Sequence, residues 1–176
     1  PDSGERHMAA NPQTVELLGR TALFGPLSEA ERRAVAEEMR EVSYSGGQVI
    51  FGRGDAGRDI YLVISGRVRL SILTSEGREL SFAHAEPGTI FGEIAMLDGG
   101  PRTADATAVT KVSALTLSKA AFARLLEQRP HLAEAAIRFL CKRVREADQQ
   151  LVHAFPSRRS SDPGGGQRRP DHVGVR

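Results

Sequence analysis

The chain has 176 residues, 40% apolar and 26% charged. That is enough for one well-buried core with tails, while the lack of ~18 consecutive apolar residues or an apolar N-terminal run argues against a membrane partner and for a cytoplasmic protein. One cysteine, Cys141, excludes an internal disulfide, a thiolate zinc cage and a four-cysteine iron–sulfur cluster within the chain. The formal charge of +2 is misleading, because Arg158, Arg159, Arg168, Arg169 and Arg176 against Asp162 and Asp171 put +3 in the tail and leave about −1 for residues 1–155, so nothing in the body reads as a nucleic-acid surface.

Residues 1–12 are polar and aperiodic, a leader or tag with Met8 as a possible start. Ser28 and Glu31 then stand at capping-box spacing and predict a helix over about 28–40, with Val35 and Met39 on its apolar side and Leu23, Phe24 and Leu27 beneath. From Val42 to Ser118 the pattern changes to short apolar runs divided by glycines: 49–51, 60–64, 68–73, 80–83, 106–109 and 112–117. Val68, Leu70 and Ile72 alternate with Arg69 and Ser71, the period of half-buried strands, and many short strands joined by glycine turns predict an antiparallel barrel or roll.

Helical spacing resumes at Ser118, which can cap a segment to about Gln128 carrying Phe122, Leu125 and Leu126. Pro130 suits the first turn of a further helix to about Ala154. There Ile137, Leu140, Val144, Ala147 and Leu151 are spaced 3, 4, 3, 4, the seam of a two-helix coiled coil, so self-association is expected over packing of that stripe on the roll. Cys141, beside Leu140, is expected to be a small buried or interface residue. Past Phe155, three consecutive glycines, prolines and few apolar residues predict a disordered tail, in which Arg158-Arg159-Ser160-Ser161 matches a basic-directed phosphorylation site only by a short and commonplace pattern.

The segment Thr89 to Ala108 carries the chemistry. A strand end meets Gly92, then Glu93, then Ile94-Ala95-Met96-Leu97, long enough for one helical turn. Gly92 lets an anion approach the free N–H groups at the start of that turn. Arg102 follows a Gly-Gly-Pro turn, and its guanidinium fork matches two phosphate oxygens; Glu93 can accept from a ribose hydroxyl, and Thr103 adds a hydroxyl beside the arginine. An exposed Glu–Arg pair is worth at most about 1 kcal/mol, whereas charge-assisted bonds to a buried phosphate contribute roughly 1.5–3 kcal/mol each. His84, His131 and His153 show no metal spacing, and no Ser–His–Asp, paired-carboxylate or Walker arrangement stands in a matching context, so neither a metal site nor a catalytic residue is assigned.

Phe91-Gly92-Glu93-Ile94-Ala95-Met96-Leu97 followed by Pro101-Arg102-Thr103-Ala104 resembles the phosphate-binding cassette of cyclic-nucleotide-binding domains, as in Crp/Fnr regulators, protein kinase A regulatory subunits and cyclic-nucleotide-gated channels. The resemblance covers about residues 17–154 and includes the Gly52–Gly57 turn and Asp59–Gly66. It implies a mainly β fold, an antiparallel β-roll (double-stranded β-helix, jelly-roll-like) with an N-terminal helix, a hinge helix and a long C-terminal dimerisation helix. The expected division is a leader over 1–12, the roll over 13–130, the dimerisation helix over 131–155 and a basic tail over 156–176.

By the same resemblance, Gly92 and the backbone after it would hold the cyclic phosphate with Arg102 and Thr103, and Glu93 the ribose 2′-OH, with Phe91, Ile94, Ala95 and Ala104 framing them. The ligand would be cAMP, with cGMP or another cyclic nucleotide as the alternative, and no further cofactor is implied. Relatives place hydroxyl residues on the long helix against the base; ungapped counting puts Ala147 and Asp148 there, and a carboxylate at 148 would favour the N1–H and amino donors of guanine. Regulators of this family continue into a helix-turn-helix. Here the long helix runs into the Gly/Pro/Arg tail, so a truncated or frame-shifted regulator is expected ahead of a stand-alone sensor or a regulatory fragment, with DNA bound only if a C-terminal domain is supplied.

Overall fold

A computed structural model describes residues 11–154; the expectations for residues 1–10, for the tail and for Arg158 to Ser161 lie outside them. The described chain divides into two units that part between Cys141 and Lys142.

The first unit opens with helix α1 (Pro12–Gly19), capped by the Asn11 side chain, which accepts from the Gln13 N–H at 3.0 Å, with proline in its first turn. Residues 11 and 12 therefore belong to this helix and not to the leader. Helix α2 (Glu29–Glu38) begins on the expected capping box: Glu31 N–H donates to Ser28 Oγ at 3.2 Å, and Ser28 N–H donates to the Glu31 carboxylate at 3.1 Å. It stops short of residue 40 because Met39 turns to extended backbone and Arg40 enters strand β1 (Arg40–Tyr44).

The remaining strands are β2 (Val49–Phe51), β3 (Asp59–Ser65), β4 (Val68–Leu73), β5 (Glu79–Ala85), β6 (Ile90–Phe91), β7 (Asp105–Ala108) and β8 (Val112–Ser118). A short helix, α3 (Glu93–Asp98), separates β6 from β7, and α4 (Lys119–Gln128) and α5 (Pro130–Ala154) follow β8. The strands form two antiparallel sheets, ordered β1-β8-β3-β6 and β2-β7-β4-β5, in agreement with the roll expected from the glycine-punctuated runs.

Strand β3 shows why the sheets lie face to face. Ile60, Tyr61, Leu62 and Val63 are all buried, so both of its faces are covered. Ile60 and Leu62, with Leu115 and Leu117 of β8, pack in a core that includes α1, α2 and α4. Tyr61 and Val63, with Val112 and Ala114 of β8, face the other way and pack with Phe91, Val68, Ala85, Ala106 and Ala108. The small side chains of the second core let the two sheets approach closely.

Within the first unit, α5 buries Leu132, Ala135, Ala136 and Phe139. Ile137 and Leu140 are exposed on that helix, as are Val144 and Leu151 in the second unit. Within the first unit, the seam residues Ile137 and Leu140 thus lie on a different face of α5 from the one that packs. Cys141 is exposed in the chain, so of the expected buried or interface placements the buried one is corrected.

Candidate functional site

The site is assembled from two loops that the roll brings together. The first runs from the end of β2 through Gly57. Its turn is fixed by Gly52 N–H donating to Asp55 Oδ2 at 2.8 Å and Arg53 N–H donating to Asp105 Oδ1 at 2.7 Å. The second runs from β6 through α3 to Arg102. The two are laced together by backbone: Arg102 N–H donates to the Asp55 carbonyl and Gly54 N–H to the Arg102 carbonyl, each at 2.8 Å, with a bridge between Ala56 and Pro101. The glycine turn therefore works as a strap that fixes the backbone of Arg102.

Gly92 caps α3 with φ +77° and ψ 12°, a left-handed conformation in which a Cβ would be strained, and no side chain caps the turn. Arg102 lies across it, 95% buried, with Nη1 donating to the Gly92 carbonyl at 2.9 Å. Its guanidinium carbon is 4.1 Å from the centroid of the Phe51 ring and 5.6 Å from that of Tyr61. Gly57 also lies against it, and an added Cβ there would stand 2.4 Å from Arg102 Nε. Three arginines, Arg32, Arg102 and Arg129, have a buried Nε with no hydrogen-bond partner among the described residues, and of these Arg102 alone is buried as a whole residue. A buried donor left without an acceptor costs about 1–3 kcal/mol, which an anion arriving at the guanidinium would recover.

The other expected residues divide by exposure. Glu93 is 95% buried in the first turn of α3, and Phe91, Ala95 and Ala104 are buried as well, whereas Ile94 and Thr103 are exposed. Ala147 and Asp148 lie on the exposed part of α5 in the second unit. Among the described residues, no group of three or more His, Cys, Asp or Glu could hold a metal, and no helix is long and apolar enough to cross a membrane.

Tyr44, Phe51 and Tyr61, which sequence reasoning did not assign, complete the site beside Phe91, which it did. Tyr61 and Phe91 stack at 4.9 Å with ring planes 12° apart, and Phe51 leans on both at 5.8 and 6.0 Å. Burial, then the neighbouring Tyr44 hydroxyl, pushes the Tyr61 hydroxyl well above the usual phenol range; burial also raises Tyr44, to which it is hydrogen-bonded. Both stay neutral, so the charge under the rings is that of Arg102. A cavity of about 370 Å³ opens beside this pair, lined among others by Arg40, Asp59, Thr116 and Arg124. A wider groove of about 1040 Å³ follows the glycine strap, Gly99 to Pro101 and the start of α4. Neither is lined by Glu93, Arg102 or Thr103.

The family model described as the cyclic nucleotide-binding domain matches residues 41–129, which takes in both loops and the whole roll. The chain belongs to the cyclic nucleotide-binding domain family. It is 30% identical over 137 residues to the CRP-like cAMP-activated global transcriptional regulator of Mycobacterium tuberculosis, covering 78% of this chain and 61% of the relative. It is 36% identical over 129 residues to the cyclic AMP receptor protein of Thermus thermophilus, covering 73% and 60%. Its structure is similar to the N-terminal domain of a transcriptional regulator from Streptomyces coelicolor, with 33% identity, a TM-score of 0.69, and coverage of 82% of this chain and 99% of that one. The chain thus spans about three-fifths of the length of the two curated relatives.

Proposed function

We propose that this domain is the cyclic-nucleotide sensor of a Crp/Fnr-like transcriptional regulator, that it binds cAMP or a related cyclic nucleotide, and that it acts without catalysing a reaction. The observation that carries the proposal is Arg102: a permanently charged fork, buried, strapped at its backbone, and satisfied by one carbonyl and an aromatic face where a phosphodiester could offer two anionic oxygens. Arg102, the Gly92 turn and Thr103 take the cyclic phosphate, and the Glu93 carboxylate accepts from the ribose 2′-OH. Phe91, Ile94, Ala95 and Ala104 frame them. Asp148, with Ala147 beside it, meets the base and favours guanine; calorimetry showing tight cAMP binding and none for cGMP would remove that preference.

In this proposal the protein is cytoplasmic and homodimeric through α5. Phosphate capture reshapes the roll and, through residues 118–130, moves the long helices, by an amount set by the ligand's differential affinity for the two arrangements. DNA is contacted through a C-terminal reader where one is joined to the domain.

A second possibility is a ligand-independent interaction module on the same fold. It is favoured by Arg102 already having a protein acceptor in the Gly92 carbonyl. Thermal unfolding with and without cAMP and cGMP, for the native chain and Arg102→Ala, separates the two. A stabilising shift in the native chain that is absent from the variant supports the sensor. No shift with any cyclic nucleotide supports the module, and an equal shift in both moves the site elsewhere.

A further inference from the structure

We propose that Phe51 is a positioning residue for phosphate capture: its ring, together with the bare backbone of Gly57, forms a slot that holds the Arg102 guanidinium in its binding orientation. This rests on the assignment of Arg102 to the phosphate. An arginine side chain has four rotatable bonds, and ordering them when ligand arrives would weaken binding. Here they are ordered beforehand. The ring centroid is 4.1 Å from the guanidinium carbon, within the range of a cation–π contact, and the site is buried enough to strengthen it.

Two features hold the ring in place. Phe51 packs on Tyr61 and Phe91, and its backbone pairs with Ala106 in β7, just beyond a register shift between Val49 and Phe51. A side chain at 57 would meet Nε at 2.4 Å and the arginine Cδ at 2.7 Å, so only glycine leaves room for the arginine side chain. The slot fits a flat cation; a lysine ammonium would meet the ring but could not present a planar fork.

The test is calorimetry of the folded chain with cAMP and cGMP, applied to Phe51→Leu and Phe51→Tyr and repeated for both in an Arg102→Lys background. Phe51→Leu is expected to weaken binding about tenfold, Phe51→Tyr to stay within about threefold of the native chain, and the leucine effect to shrink to less than threefold when Arg102 is lysine. The ligand-free protein supplies a second readout, since the Arg102 Nε–H resonance should carry a ring-current shift that Phe51→Leu abolishes and Phe51→Tyr keeps. Native affinity in a Phe51→Leu protein, or an undiminished leucine effect in the lysine background, would overturn the positioning role. If the native chain binds no cyclic nucleotide, the phosphate assignment itself fails, an outcome distinct from a Phe51 effect that is simply missing.

Discussion

The cassette and the second half of the long helix solve opposite problems. Around Arg102 the chain buries charge: Glu93 and Arg102 are each 95% buried, and Arg102 is framed by aromatic rings and by glycines that leave it room. Along α5 the chain exposes apolar surface, with Ile137, Val144 and Leu151 between 58% and 62% exposed at coiled-coil spacing. A buried guanidinium whose Nε has no hydrogen-bond partner suits a small anionic ligand, whereas an exposed apolar stripe suits another protein surface. On the proposed reading the two regions take partners of different chemistry, and substitutions in each should be read out separately.

The largest expected effect is on the helix. If the proposed dimer forms through α5, Val144→Asp places an unpaired charge in the middle of its seam and should raise the dissociation constant at least about a hundredfold, read by sedimentation, since an unpaired buried charge costs several kcal/mol. Thermal unfolding of the roll should not change, because Val144 is 60% exposed in the chain itself. A variant that remains as dimeric as the native chain would show that the stripe has some other partner.

Changes in the cassette should do the reverse, lowering stability without altering association. Gly92→Ala forces a Cβ into a left-handed turn at about 1–2 kcal/mol and sets it 2.7 Å from Arg102 Nη1. Gly57→Ala overpacks the slot, at roughly 1–3 kcal/mol. Each should lower the melting temperature by roughly 5–10 °C. If either is neutral, the guanidinium is not held where the contacts place it.

Smaller effects lie away from both regions and act as controls. Ser28→Ala removes the α2 cap and should cost about 1 kcal/mol in chemical denaturation with no change in ligand affinity. Glu31 is held below its ordinary value first by the backbone N–H of Ser28 and then by its bonds to the Ser28 and His131 side chains. A depressed carboxylate contributes its stabilisation in full above the ordinary value of 4.5 and loses it as pH falls through the folded value. Melting temperature should therefore decline on acidification below about pH 5, slightly less steeply in Glu31→Gln.

How much of this was legible beforehand follows from the range of the interactions. The α2 cap, the Ser118 cap, the start of α5 at proline and most strands were visible, since each is encoded within a few neighbouring residues. The cassette was visible as a motif, and its Gly92 and Arg102 do meet. Strand β1 was missed because Arg40–Tyr44 carries only Val42 and Tyr44 as apolar signal, and its pairing with β8 is a long-range fact. Helix α1 was announced by Asn11-Pro12 and by Val15 and Leu18 three apart, too short a pattern beside an aperiodic leader.

Phe51 could not be found locally, because it reaches Arg102 across 51 positions of sequence and only the closed roll joins them. On α5 the strongly apolar 3-4 spacing marked the face that stays exposed, while the packed face is half alanine, Ala135 and Ala136 beside Leu132 and Phe139, and gives little hydrophobic signal.

The central claim is that Arg102 binds a cyclic phosphate, and calorimetric titration of the native chain and of Arg102→Ala with cAMP and cGMP tests it most directly. Saturable one-site binding of at least one nucleotide, weakened about a hundredfold or more in the variant as two charge-assisted hydrogen bonds are lost, is the predicted result. Equal affinity in the two proteins, or no heat from either nucleotide with the native chain, would contradict it.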